Sequence, residues 1–99
     1  MASRKIDFQE VKAFMRGYEG AILYRLLPHG KKQGHEYVSL NPTRHDHSLG
    51  SFRINLNTYK WADFATGDRG GDLISLWAYV RGVTNLQAAK DILALLGRH

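Results

Sequence analysis

A chain of 99 residues, 43% hydrophobic and 23% charged, suffices for one small domain with one core and is too short for two, so residues 1–99 are read as a single unit. It contains no cysteine, which excludes disulfides and thiolate metal sites, and no apolar run approaches the roughly 20 residues that span a bilayer. A net charge of +5 with a pI near 9.7 favours polyanionic partners, and the opening Met-Ala-Ser-Arg-Lys-Ile-Asp lacks the apolar core of a secretory signal, so a soluble, cytoplasmic protein without a membrane partner is expected.

Residues 1–6 read as a frayed lead-in. From Asp7 the pattern turns helical. Asp7 can cap, Glu10 follows three residues later as in a capping box, and Phe8, Val11, Phe14 and Met15 share a face, which predicts a helix over about 8–16. Gly17 and Gly20 interrupt. The apolar run Ala21 to Leu27 then fits helix or strand by periodicity, and is read as a second short helix ended by Pro28. Residues 29–35, with Lys31 and Lys32, read as an exposed loop or hairpin shoulder.

Glu36 to Leu40 alternates as a strand, with Tyr37 and either Val38 or Leu40 turned inward. Asn41 to Gly50 is a polar, turn-rich connection. Ser51 to Leu56 is a second strand, with Phe52, Ile54 and Leu56 on one face and Ser51, Arg53 and Asn55 on the other. Asn57-Thr58 turn the chain into a third strand over Tyr59 to Phe64. Gly67, Gly70 and Gly71 then form a turn that delivers the chain to Asp72, placed as an N-cap. Such a turn leaves backbone N–H groups free beside Arg69 and suits an anion, although glycines at a strand-to-helix joint equally serve the backbone alone. Valine at position 71 is expected to disrupt this turn. A third helix follows from Asp72 to about Arg81, burying Leu73, Leu76, Trp77 and Val80 and stopping at Gly82. Thr84 or Asn85 caps a last helix to about Leu96, with Leu86, Ala89, Ile92, Leu93 and Leu96 at helical spacing. The fold class is α+β: a small antiparallel three-stranded sheet flanked by N-terminal and C-terminal helices.

No serine, histidine and acid stand in a recognised nucleophile context, and no phosphate-loop lysine or helical zinc motif is present, so a binding domain rather than an enzyme is expected, with no cofactor. His45, Asp46 and His47 invite a metal reading, because two histidines two apart on an extended chain face the same way. No second pair completes four ligands, and a polar turn with titrating surface histidines is the stronger reading. Arg44, Arg53, Lys60 and Arg69 lie in or beside the sheet with Tyr59, Trp61 and Phe64, the mixture of cationic groove and stacking platform that single strands favour. Lys31 and Lys32 are further candidate phosphate contacts.

At Asn41-Pro-Thr-Arg-His-Asp, Gly50-Ser-Phe, Lys60-Trp-Ala-Asp-Phe-Ala-Thr-Gly and Gly70-Gly-Asp-Leu-Ile-Ser-Leu the sequence resembles the N-terminal zinc-ribbon domain of bacterial and phage DNA primases. It looks closest to the cysteine-less form at the start of plasmid and prophage primase/helicase proteins. The similarity covers about residues 36–97. In the zinc-bearing relatives a Cys-Pro-x-His motif precedes a Pro-Ser-Phe strand, a strand ending in Cys-x-x-Cys follows, and Gly-Gly-Asp opens a helix. Here Asn41 and Arg44 stand at the first two ligand positions, and Phe64 and Gly67 near the second two, so the resemblance implies a domain that has lost its metal. Because structural zinc supplies much of the folding free energy of such a ribbon, Trp61 and Phe64 packing under the turn are the expected substitutes, together with the flanking helices.

The resemblance implies a module that binds single-stranded DNA template in a priming system, with Lys31, Lys32, Arg44, Arg53, Lys60, Trp61 and Arg69 as binding residues, and a primase or helicase of the same element as protein partner. Trp61 is a stacking ring if exposed and a core ring if it fills the space that zinc would leave, and burial is the favoured outcome. The alternative function is a protein-interaction module that docks on a primase or helicase without touching DNA.

Overall fold

The computed structural model describes residues 5–44 and 49–98. Asp7 accepts a hydrogen bond from the Gln9 amide at 2.9 Å and starts α1 (Phe8–Met15), which turns Val11 and Met15 inward. Gly17, at φ 85°, reverses the chain into α2 (Glu19–Leu26), whose buried stripe is Ile22, Leu23 and Leu26. Pro28 follows one residue after the C-cap and prevents continuation. Ile6 packs against the core and so is not part of a frayed lead-in.

The sheet is wider than the alternation suggests. Five antiparallel strands, β1 (Lys31–Gln33), β2 (Glu36–Ser39), β3 (Phe52–Asn55), β4 (Trp61–Asp63) and β5 (Arg69–Gly70), lie in sequence order as a meander. Three strands were expected. The additional β1 and β5 are short edges, one polar and one containing glycine, which pairing to a neighbour makes extended although neither has an apolar pattern of its own. Of the two readings of residues 29–35, the hairpin shoulder holds: residues 31–33 are a strand paired to β2. Between β3 and β4, Tyr59 adopts a left-handed conformation (φ 61°), its amide donating to the Asn55 carbonyl at 2.7 Å.

Asp72 caps α3 (Leu73–Arg81) in a reciprocal box with Ser75, and Gly82 ends that helix at φ 69°. Thr84 caps α4 (Asn85–Leu95). Leu73, Leu76 and Trp77 are buried as the spacing predicts, with Ile74 and Ala78 in addition, whereas Val80 is half-buried and Leu86 is exposed. The core joins these helices to one face of the sheet through Phe52, Ile54 and Trp61, with Tyr37 packed against them. Tyr37 is the inward residue of β2; Val38 is buried outside that cluster, in register with Lys31 and Arg53. No described helix is long and apolar enough to cross a membrane.

The glycine turn differs from its sequence reading. Gly71 has open space around its Cα and no positive φ, so the valine expected to disrupt it should be accepted. The constraint sits one residue earlier: a Cβ on Gly70 would lie 2.5 Å from Trp61 Nε1 and 2.6 Å from Ser75 Oγ. Gly70→Ala should therefore destabilise the domain by about 1–3 kcal/mol through overpacking, and Gly71→Val should stay within about 0.5 kcal/mol of the parent in urea denaturation. The reverse order of the two variants would refute this packing.

Candidate nucleic-acid interface

Strand register sorts the candidate residues. Lys31 pairs with Val38, Val38 with Arg53, Arg53 with Ala62 and Ala62 with Arg69, so these five form one transverse row on one face. With neighbouring strands about 4.8 Å apart, the row runs about 19 Å from edge to edge. The adjacent row, Lys32, Tyr37, Ile54, Trp61 and Gly70, belongs to the opposite, helix-covered face. Lys31 and Lys32 therefore cannot act together on one strand of nucleic acid lying across the open face.

The Asn55 amide donates to the Lys60 carbonyl and the Phe64 amide to the Ser51 carbonyl, extending the pairing beyond both ends of β4. By alternation Lys60, Ala62 and Phe64 then share the open face with Arg53 and Arg69. Lys31, Lys60 and Arg69 are exposed, and among the described residues their side chains make no ion pair or hydrogen bond. Arg53 is half-engaged: its Nε donates to the Gly50 carbonyl at 2.7 Å and its Nη1 to Glu36 Oε1 at 2.9 Å. Four cations against one carboxylate make the face positive.

Besides Lys32, two further candidates lie elsewhere. Trp61 is 5% exposed, in edge contact with Phe52 and 4.8 Å from the Tyr79 ring, with its Nε1 donating to Ser75 Oγ at 3.0 Å. It is a core residue and not a stacking platform, because it sits one step out of phase with Ala62 and faces the helices. Arg44 is held by the fully buried Asp63: its Nε lies 3.1 Å from Oδ2, and its Nη2 donates to Ser51 Oγ at 3.0 Å. That commitment removes it from the row of exposed phosphate contacts.

Asp63 is the centre of a polar knot. Asn41 Nδ2 donates to its Oδ2 at 2.8 Å and the Ala65 amide to its Oδ1 at 2.9 Å. Asn41 Nδ2 also reaches the Tyr79 hydroxyl at 2.8 Å, and that hydroxyl donates to Asp68 Oδ2 at 2.7 Å. Burial pushes the Asp63 carboxyl up, but the bonds from Asn41, Arg44 and Ala65 and the Arg44 charge overcome it, holding the pKa at about 2. Asn41 and Arg44, two of the positions that the resemblance assigns to metal ligands, thus meet at a carboxylate. Phe64, expected to pack under the turn, is instead 73% exposed, because its position in the alternation is that of the open face.

The N-terminus of α3, read as an anion site, already holds its own anion. Asp72 accepts from the Ser75 amide at 2.8 Å and pairs with Lys12 Nζ at 2.9 Å, tying α1 to α3. Burial raises the Asp72 carboxyl, and the Ser75 amide and Lys12 bring it below the usual range. His45, Asp46 and His47 lie outside the described residues, and no group of three potential ligands is found among the rest. Asp63 was the residue that the sequence reading passed over; its signal was an acid on the inward side of the Tyr59, Trp61, Asp63 alternation. No protein-family model matches the chain, and no curated protein matches it.

Proposed function

We propose that this protein is a nucleic-acid-binding module of a mobile-element replication and priming system, working in the cytoplasm as a metal-free relative of the primase zinc ribbon and holding single-stranded DNA template on the open face of its sheet. The observation that carries the reading is the row of Lys31, Arg53 and Arg69, with Lys60 beside it, on the face turned away from the core cluster, where Lys31, Lys60 and Arg69 are exposed and Val38 is fully buried between Lys31 and Arg53. The motifs around Gly50-Ser-Phe and Gly70-Gly-Asp support the priming context. A nonenzymatic role fits this surface, which offers charge and an aromatic ring, and the polymerising chemistry would belong to a separate primase or helicase partner.

Fluorescence polarisation with a labelled oligothymidylate tests the reading. The wild type should bind at low salt with a slope of log affinity against log salt of about −3, the value for four phosphates neutralised on a single strand. Lys60→Ala and Arg69→Ala should each weaken binding and shallow the slope by about 0.7, leaving stability unchanged, since neither side chain is buried or paired. Absence of binding by the folded protein at low salt would refute the proposal. The second reading, a docking module for a primase or helicase, is favoured by a groove of about 500 Å³ floored by Ile6, Val11, Phe14 and Leu93.

A further inference from the structure

We infer that Phe64 is the base-stacking residue of this interface and that it makes the site select unpaired nucleotides over duplex. The inference rests on the single-strand reading above and adds to it the group that reads the base. Phe64 follows β4, and its ring is 73% exposed, the most exposed of the large hydrophobic residues described. A solvated phenyl ring in a domain of this size contributes nothing to the core. The nearby Trp61 is buried with its indole N–H satisfied, so aromaticity was available to the core without leaving a second ring in water.

The surroundings of Phe64 have the dimensions of one nucleotide. Along β4, Lys60, Ala62 and Phe64 are spaced about 6.8 Å apart on the open face. Ala62 is flanked in register by Arg53 and Arg69, each about 5 Å away across the ladder. Ala62 is the smallest side chain on the row, so the face is low there, with the Phe64 ring on one side and the cations Arg53, Arg69 and Lys60 on the other three. A base laid against Phe64 over Ala62 places its flanking phosphates toward Arg53, Arg69 and Lys60. Stacking accepts any base and requires a free face on it, which the interior of a duplex denies because neighbouring base pairs cover both faces. The cations alone do not distinguish the two forms, because each presents phosphates.

The test compares a labelled oligothymidylate with a labelled hairpin duplex of similar charge, closed by a non-nucleotide linker so that it holds no unpaired base, at low salt, on wild type, Phe64→Ala, Phe64→Leu and Phe64→Trp. Phe64→Ala and Phe64→Leu should weaken single-strand binding by about 5- to 150-fold, the range for one lost base–aromatic stack. Hairpin binding should stay within about twofold, since phosphate contacts persist. Phe64→Trp should restore or exceed wild-type single-strand binding, which general loss of surface area or of fold would not allow. If wild type binds single strands and Phe64→Ala binds equally well, or if both probes weaken together, the stacking role is wrong and the cationic interface stands. If the folded wild type binds no single strand, the interface reading fails and the stacking site fails with it.

Discussion

Asp63→Ala should cost the domain about 2–4 kcal/mol, because it removes the fully buried carboxylate of a half-buried ion pair and leaves the Asn41 amide and the Arg44 guanidinium without their acceptor. Against a total stability of about 5–15 kcal/mol for a domain of ordinary stability, that is a large fraction. Urea denaturation at neutral pH measures it, and a loss below about 1 kcal/mol would mean that the polar knot is not a structural joint. The same carboxyl sets an acid limit. Its folded pKa, about 2, is below the unfolded value of 3.8. The folded state thus favours the ionised form, and the stabilisation is fully present above about pH 4. It is lost as the pH falls through the folded pKa, and it amounts to about 2 kcal/mol. Asp72 is lowered as well, so the informative quantity is the difference between wild type and Asp63→Asn. That difference should shrink by about 2 kcal/mol between neutral pH and about pH 2. A difference independent of pH would show that Asp63 is not ionised against Arg44.

Trp61→Ala should cost about 3–5 kcal/mol of stability, the usual range for removing a large buried aromatic. Its ring touches Phe52 and Tyr79 and its N–H is satisfied by Ser75, the residue that also closes the cap of α3. Loss of the ring therefore loosens the contact between β4 and the start of α3. Trp61→Phe should be milder, retaining aromatic contact and losing the hydrogen bond. Chemical denaturation followed by far-ultraviolet circular dichroism reads the effect, and whatever fraction remains folded should bind oligonucleotide as the wild type does. A stable Trp61→Ala domain with weakened DNA binding would place this ring, and not Phe64, at the interface.

Local chemistry determined most of the helices. Asp7, the Asp72 and Ser75 box, Gly82 and Thr84 are caps whose bonds close within two to four residues, and such signals survive any tertiary context. Periodicity likewise put Phe52 and Ile54 on one side and Arg53 on the other. What the sequence left open was everything that depends on a distant partner. Lys31–Gln33 and Arg69–Gly70 carry no strand pattern, and become strands because β2 and β4 offer them unpaired backbone. Lys31 and Lys32 look interchangeable until pairing fixes which of them faces the open side. Arg44 and Asp63 are nineteen residues apart, and only the folded sheet brings them together. Trp61 and Phe64 differ by an odd number of positions, so once the pairing runs through Phe64 they face opposite ways, and the expectation that both pack under the turn fails. Which of them is buried was decided by where α3 packs, because a sheet has two equivalent sides until a helix covers one.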